Sequence, residues 1–144
     1  MTGARARFRE LTIRLVSGLR GLGIDARIGA VPGGCCPGDW TINGAARVKL
    51  AGTAQRIVSG AWLFGAELVV TEPEPTRAVL TDVNAALDVE FDLSTAAALA
   101  DLNPAISLEH VRAAILIDLG TGREVVAKPG VIADAISNRA SHAP

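Results

Sequence analysis

The chain has 144 residues, of which 49% are hydrophobic and 20% are charged. This length allows one domain with its own core, and the composition is too apolar for a disordered chain. Fourteen basic residues against fifteen acidic ones leave a net charge of -1, which excludes the basic footprint of a nucleic-acid-binding protein. The longest apolar stretch is too short to span a bilayer, and the charged N-terminus does not resemble a signal peptide. We therefore expect a cytoplasmic protein that binds neither nucleic acid nor membranes.

The first half of the sequence predicts one helix followed by strands. Apolar residues at helical spacing predict a helix from about Ala6 to Leu22. Asn43-Gly44 predicts a tight turn, and Gly52 predicts either a bulge or a close approach of the backbone. Period-two patterns and β-branched residues predict strands at Ile24–Ile28, Trp40–Ile42, Arg47–Val58 and Ala61–Val70.

The second half, from Thr71 onward, predicts helices. One opens near Pro75, a shorter one covers Ala96 to Leu102, and a third has Ser107 as its N-cap and ends at Gly120. The apolar side of the first of these helices consists of Val79, Leu80, Val83 and Leu87. A small strand and a last helix are predicted at Glu124–Ala127 and Val131–Asn138.

Strands followed by helices are typical of an α+β fold. We place a subdomain boundary at the Pro-rich stretch near residues 71–75. Residues 1–72 then form a sheet-containing half, and residues 73–144 form a helical accessory region of the same compact unit.

The two cysteines, Cys35 and Cys36, are adjacent in a loop rich in Gly and Pro. Adjacent cysteines cannot join distant segments, so they do not form a disulfide scaffold. They also lack the C-x-x-C spacing of a zinc site, and His110 and His142 have no partners at ligand spacing. The sequence therefore predicts no metal site.

Lys49 is the candidate for chemistry, because it is one of only two lysines among fourteen basic residues. It lies in a predicted strand and is followed by small residues that would let a ligand approach the backbone. An ammonium in a partly desolvated pocket attracts a carboxylate, an acyl phosphate or a developing oxyanion. The alternative is a lysine at the edge of the sheet, exposed to solvent as a device against aggregation.

The segment KLAGTAQR, Lys49–Arg56, is similar to the Lys-x-x-Gly-Ser/Thr-Ala-Gln signature of the lipoate-protein ligase and octanoyltransferase family. The preceding CPGDWTING resembles the loop and strand before that signature, and the following RIVSGAWLFGAELVV resembles the strand pair after it. The resemblance covers about residues 24–70. It implies an α+β fold of the biotin/lipoate ligase type, with an antiparallel or mixed sheet packed against helices and a small helical C-terminal region.

The resemblance also implies an activity, the transfer of a lipoyl or octanoyl group to the lysine of a lipoyl-domain protein. Lys49 would hold the acyl carboxylate or thioester carbonyl. In transferases of this family, a cysteine in the loop before the lysine strand takes the octanoyl group from an acyl-carrier protein, and Cys36 lies in the corresponding loop. Ligases of the family instead use ATP to form a lipoyl-adenylate. Cys35 has no counterpart and is either a neutral neighbour or a disulfide partner of Cys36. The implied substrate-binding residues are Gly52, Thr53, Ala54 and Gln55 around the acyl pocket, with Asp39 and Asn43 from the preceding loop and strand.

One family feature is missing from the sequence. Members carry an Arg-Arg-x-x-Gly-Gly-Gly stretch well before the lysine signature, and none occurs here. The sequence therefore resembles a C-terminal half, either a truncated or split enzyme or a non-catalytic subunit or remnant. Such a subunit would bind an acyl ligand or a separate N-terminal half. Octanoate and lipoate are not distinguished, and biotin remains an alternative ligand.

Overall fold

The structure, a computed structural model, describes residues 3–120. The strand and helix predicted at Glu124–Ala127 and Val131–Asn138 lie outside these residues, as does His142. None of the helices between residues 3 and 120 combines the length and the hydropathy needed to cross a membrane. The elements, in chain order, are α1 (Ala4–Gly21), β1 (Ala26–Ile28), β2 (Ile42–Gly44), β3 (Val48–Val58), β4 (Ala61–Leu68), α2 (Glu74–Ala86), a 3₁₀ turn (Leu93–Thr95), α3 (Leu99–Leu102) and α4 (Leu108–Leu119).

The four strands form one antiparallel sheet in the order β1-β2-β3-β4, so each strand pairs with its neighbour in sequence. The hairpin of β3 and β4 pairs over eight positions, from Ala51 opposite Leu68 to Val58 opposite Ala61. The chain reverses at Ser59-Gly60, where Gly60 has a φ of 75°. The predicted α+β class and the predicted long hairpin are both confirmed.

The turn predicted at Asn43-Gly44 is wrong, since both residues belong to β2 and the chain reverses over the next three residues. Ala45 and Ala46 take the left-handed conformation there, with φ of 52° and 59°. The Asn43 side chain supports the turn from within the strand, because its Oδ1 accepts a hydrogen bond from the Ala46 N–H at 2.9 Å. Gly44 leaves room for a neighbouring side chain, since a Cβ at this position would lie 2.5 Å from the Leu102 Cδ1, and Leu102 would have to shift.

The core lies between the sheet and the helix pair α1 and α4. A glycine, Gly18, allows the two helices to approach closely, because its Cβ would lie 3.1 Å from the Asp118 Oδ2 and 3.3 Å from the Ala114 carbonyl oxygen. Ser107 caps α4 as predicted, accepting a hydrogen bond from the His110 N–H at 3.3 Å. One cluster of buried side chains joins the two halves of the chain, with Leu15, Leu19, Ile42 and Leu50 from the first and Leu99, Ile106 and Val111 from the second.

The helix predicted over Ala96–Leu102 is wrong for its first three residues. Residues 96–98 run extended and buried, and Ala96 forms a parallel bridge with Lys49 of β3. The short helix α3 follows, held to the end of the hairpin by a hydrogen bond from the Leu99 N–H to the Val69 carbonyl at 2.9 Å. Pairing with the sheet overrides the helix propensity of alanine in this segment.

Helix α2 forms where predicted, but its apolar side is largely exposed. None of the residues of α2 is fully buried. The side chains of Val79, Val83 and Leu87 are exposed. Leu80 is half-buried and lines a cavity described below.

Candidate functional site

Lys49 lies on β3, an inner strand that pairs with β2 and β4. Its Nζ donates hydrogen bonds to the carbonyl oxygens of Cys35 at 2.9 Å and Cys36 at 3.4 Å, and lies 3.7 Å from the Cys35 Sγ. The residue is half-buried. The alternative of a solvent-exposed lysine at the sheet edge is therefore wrong, because the amine lies under the cysteine loop.

The Lys49 side chain lies beside Gly52 at ordinary contact distance. A Cβ on Gly52 would lie 3.9 Å from the Lys49 Cε and 4.0 Å from its Nζ. The register runs without interruption through Gly52, which lies opposite Glu67 on β4. The sheet irregularity is earlier, where Asn43 pairs with Lys49 and Ile42 with Ala51. Of the two predictions for Gly52, the bulge is therefore wrong, and the close approach to the backbone stays a prediction.

The cysteine loop is anchored from the second half of the chain. The Asp92 N–H donates to the Gly33 carbonyl at 2.9 Å, and the Gly34 N–H donates to the Val31 carbonyl at 3.0 Å. Both thiols are free, with Cys35 half-buried and Cys36 exposed at a left-handed φ of 45°. The thiol that touches the Lys49 amine thus belongs to Cys35. The resemblance favours Cys36 instead, and the sequence could not show which thiol faces the amine, because the direction of each side chain depends on the irregular backbone of the loop.

An apolar cavity of about 230 Å³ opens beside Lys49. Its walls come from five parts of the chain that the fold brings together, and their apolar residues include Leu50, Val69, Leu80, Phe91 and Ala96. Cys35 and Lys49 belong to the polar part of the lining. An elongated apolar chain with an oxygen-bearing head group fits this lining, with the head group against the ammonium.

A second, more open cavity of about 680 Å³ meets the first one. The two cavities share four lining residues, which are Cys36, Lys49, Gly52 and Glu67. The open cavity is also lined by Phe8, Asp39, Trp40, Thr53 and Ala54. Five predicted site residues therefore line this cavity together with Lys49, namely Cys36, Asp39, Gly52, Thr53 and Ala54.

Thr53 and Trp40 connect β3 to the cysteine loop. The Thr53 Oγ1 donates a hydrogen bond to the Trp40 carbonyl oxygen at 3.1 Å. The Trp40 ring contacts Phe8 of α1 edge to face, with ring centroids 6.1 Å apart. One side of the open cavity is thus aromatic, which the sequence did not predict because Phe8 lies far away in the chain.

Gln55 and Asn43 have other contacts. Gln55 ties β3 to the start of α1, accepting from the Arg7 Nε at 3.4 Å and donating to the Ala4 carbonyl at 3.3 Å. Asn43 is 3% exposed and donates to the Gly29 carbonyl at 2.8 Å. These contacts give both side chains a structural role, and their assignment to substrate binding stays a prediction.

Residues 3–120 contain no group of three or more His, Cys, Asp or Glu side chains that could hold a metal ion. His110 is exposed in the first turn of α4, where its Nδ1 accepts a hydrogen bond from the Ser107 N–H at 3.4 Å.

The sequence matches no protein-family model and no curated protein. Solved structures do match. A lipoate-protein ligase A bound with ATP superimposes with a TM-score of 0.62 over 95% of this chain, at 23% identity. The fold is that of the lipoate-protein ligases.

A T. acidophilum protein assigned as a lipoate protein ligase matches with a TM-score of 0.60 over 94% of this chain, at 25% identity. Its structure with bound lipoic acid matches with a TM-score of 0.62 over 93% of this chain, at 23% identity. The matched part is 54–55% of the neighbours' own chains. The chain therefore spans about half the length of these lipoate-protein ligase structures.

Proposed function

We propose that this chain binds the acyl group of lipoate or octanoate and takes part in its transfer to a lysine of a lipoyl-domain protein. The observation that carries the proposal is the Lys49 ammonium in the wall of an apolar cavity. The ligase fold of the solved neighbours supports it, as does the lipoic acid bound to one of them.

The hydrogen bonds of Lys49 leave one N–H for a ligand. An ammonium has three donors, and two of them point to the Cys35 and Cys36 carbonyl oxygens. The third faces the Cys35 sulfur, a weak acceptor, at 3.7 Å. An acyl oxygen is a stronger acceptor and would replace that contact. The same ammonium would then stabilise negative charge on the oxygen during transfer.

Two routes of transfer are compatible with this site. In the ligase route, ATP activates the free acid before the lysine attacks it. In the transferase route, a cysteine thiolate attacks the carbonyl carbon of an acyl thioester, a new C–S bond forms, and the donor thiol leaves. The Lys49 amine, which would hold the acyl oxygen, lies 3.7 Å from the Cys35 sulfur. This contact adds Cys35 to Cys36 as a candidate nucleophile.

The intact mass of the protein after incubation with an octanoyl thioester distinguishes the routes. In the transferase route the wild type gains one octanoyl group, which hydroxylamine removes. Cys35→Ser and Cys36→Ser serve as matched controls for each other, and the variant that stays unmodified identifies the nucleophile. An unmodified wild type would contradict the transferase route.

One observation favours a second candidate, a partner subunit that is not itself catalytic. Within residues 3–120, β4 is one of the two edge strands of the sheet and pairs only with β3. The end of the hairpin is apolar and open to solvent, with Trp62 49% and Leu63 67% exposed. An exposed apolar edge strand is a surface on which another chain adds a strand. A monomer at every protein concentration, with no partner required for solubility, would argue against this candidate.

A further inference from the structure

Glu67 lies where the two cavities meet. It is opposite Gly52 in the β3–β4 hairpin, and paired residues of an antiparallel sheet project to the same face. Gly52 has no side chain, so the Lys49 side chain lies across that position, about 4.0 Å from it. Glu67 and Lys49 are therefore neighbours on one face, and both line both cavities.

The Glu67 carboxylate is available to a ligand. It is exposed, and the four ion pairs found within residues 3–120 involve Glu10, Asp25, Glu74 and Asp101. Lys49 directs its hydrogen bonds to the carbonyl oxygens of the cysteine loop instead. An incoming cation therefore does not have to displace a protein cation from Glu67.

The charges of the open cavity favour a cationic ligand over an anionic one. Two carboxylates, Asp39 and Glu67, face one ammonium, Lys49. A nucleotide phosphate would meet net repulsion there, whereas an alkylammonium would be attracted. The exposed aromatic ring of Trp40 at the same cavity suits the methylene stem and charge of such a group.

We propose that Glu67 binds the ammonium group of the acceptor lysine, which enters through the open cavity while the acyl chain occupies the apolar one. The inference rests on the proposed function, because it names the place of its second substrate. Lys49 holds the acyl oxygen and Glu67 holds the acceptor nitrogen, so the two reacting groups meet at the junction over Gly52. Glu67 is here a specificity-determining residue for the acceptor.

The test is a binding titration without any acyl donor. The probe is Nα-acetyl-lysine N-methylamide, and its uncharged Nε-acetyl derivative is the matched ligand control. NMR follows the backbone amides of Gly52 and Glu67 in the wild type, in Glu67→Gln, and in Asp82→Asn, a control that removes an exposed carboxylate on α2. We expect the lysine derivative to shift both amides in the wild type and in Asp82→Asn. Its affinity should be about fivefold lower in Glu67→Gln, as for one solvent-accessible charge pair.

Equal affinity of the wild type and Glu67→Gln for the lysine derivative would overturn the inference. So would an equal response to the uncharged derivative, or no response of the wild type. Octanoate binding is measured on the same samples and should be equal in the wild type and Asp82→Asn, and at least as tight in Glu67→Gln, which removes a like charge from the lining of both cavities. A wild type that binds the lysine derivative but not octanoate would contradict the proposed function and not the role of Glu67 in binding an ammonium.

Discussion

Asn43 shows how one buried side chain sets the geometry beside the candidate site. Its amide joins the segment after β1 to the turn after β2, through the Gly29 carbonyl and the Ala46 N–H. The next residues after that turn begin β3, which carries Lys49. The side chain assigned to substrate binding from the sequence thus fixes the path of the chain toward the lysine.

Asn43→Ala should lower the free energy of unfolding by about 1–3 kcal/mol, since it leaves two backbone groups without their partner. Urea denaturation followed by circular dichroism measures the change. Asn84→Ala is the control, because the Asn84 amide donates within its own helix, to the Leu80 carbonyl. An equal loss of stability in both variants, or none in Asn43→Ala, would contradict the role given to Asn43.

At the scale of elements, the 3₁₀ turn connects helix α2 to the site. Asp92 accepts hydrogen bonds from the Ser94 N–H at 2.9 Å and the Ser94 hydroxyl at 2.7 Å, while its own N–H holds the cysteine loop through Gly33. The turn then leads into Ala96, which pairs with Lys49. The position of the lysine amine therefore depends on a segment more than forty residues later in the chain.

The turn should loosen in acid. The Ser94 hydroxyl, and after it the Ser94 N–H, hold the pKa of Asp92 below its usual value. Because the pKa of Asp92 is lower in the folded protein than in the unfolded chain, the Asp92 carboxylate stabilises the fold at pH values above its pKa in the unfolded chain. This stabilisation is lost as the pH falls through the pKa of the folded state, which lies below about pH 4. NMR should show the Ser94 amide shifting in that range in the wild type and not in Asp92→Asn. A Ser94 amide with the same pH dependence in both proteins would contradict this.

The elements that the sequence predicted correctly are those whose pattern lies within their own residues. Helix α1 has apolar residues at helical spacing, α4 has Ser107 and Gly120 as caps, and the long hairpin has a period-two pattern. The predictions failed where tertiary contacts decide, as at Asn43-Gly44, where side-chain packing moves the turn, and at residues 96–98, where pairing with β3 replaces a helix.

The candidate site was predictable in part for the same reason. Lys49 was found by its rarity and by the small residues after it, and the resemblance added Cys36, Asp39, Gly52, Thr53 and Ala54. Cys35 and Glu67 were missed, since the first depends on the loop backbone and the second on the register that places it opposite Gly52.

At the scale of the whole molecule, one core joins both halves of the chain, while the hairpin extends beyond it. The exposed apolar residues of the hairpin end are Ile57, Val58, Trp62 and Leu63. An exposed apolar edge strand is a surface on which another chain adds a strand. The second candidate function therefore predicts that a partner pairs at the edge of β4.

Leu63→Lys should weaken self-association of the purified chain, because a charge on an edge strand opposes strand addition. Sedimentation velocity over a range of concentrations measures the effect, expected as a rise of the dissociation constant of about tenfold or more. Leu87→Lys is the matched control, because Leu87 is 66% exposed against 67% for Leu63 but lies at the C-terminal end of α2, away from the sheet edge. Equal effects of the two variants would show that the edge of β4 is not the contact.

The central claim is that the Lys49 ammonium binds the head group of an acyl ligand in the apolar cavity. Calorimetric titration of the wild type, Lys49→Met and Arg56→Met with lipoate and octanoate tests it most directly. Arg56→Met removes an exposed positive charge from the same strand. We expect binding by the wild type and Arg56→Met, and roughly 10- to 100-fold weaker binding by Lys49→Met, as for the loss of a hydrogen bond to a charged group. Equal affinity of Lys49→Met and the wild type, or no binding by the wild type, would contradict the claim.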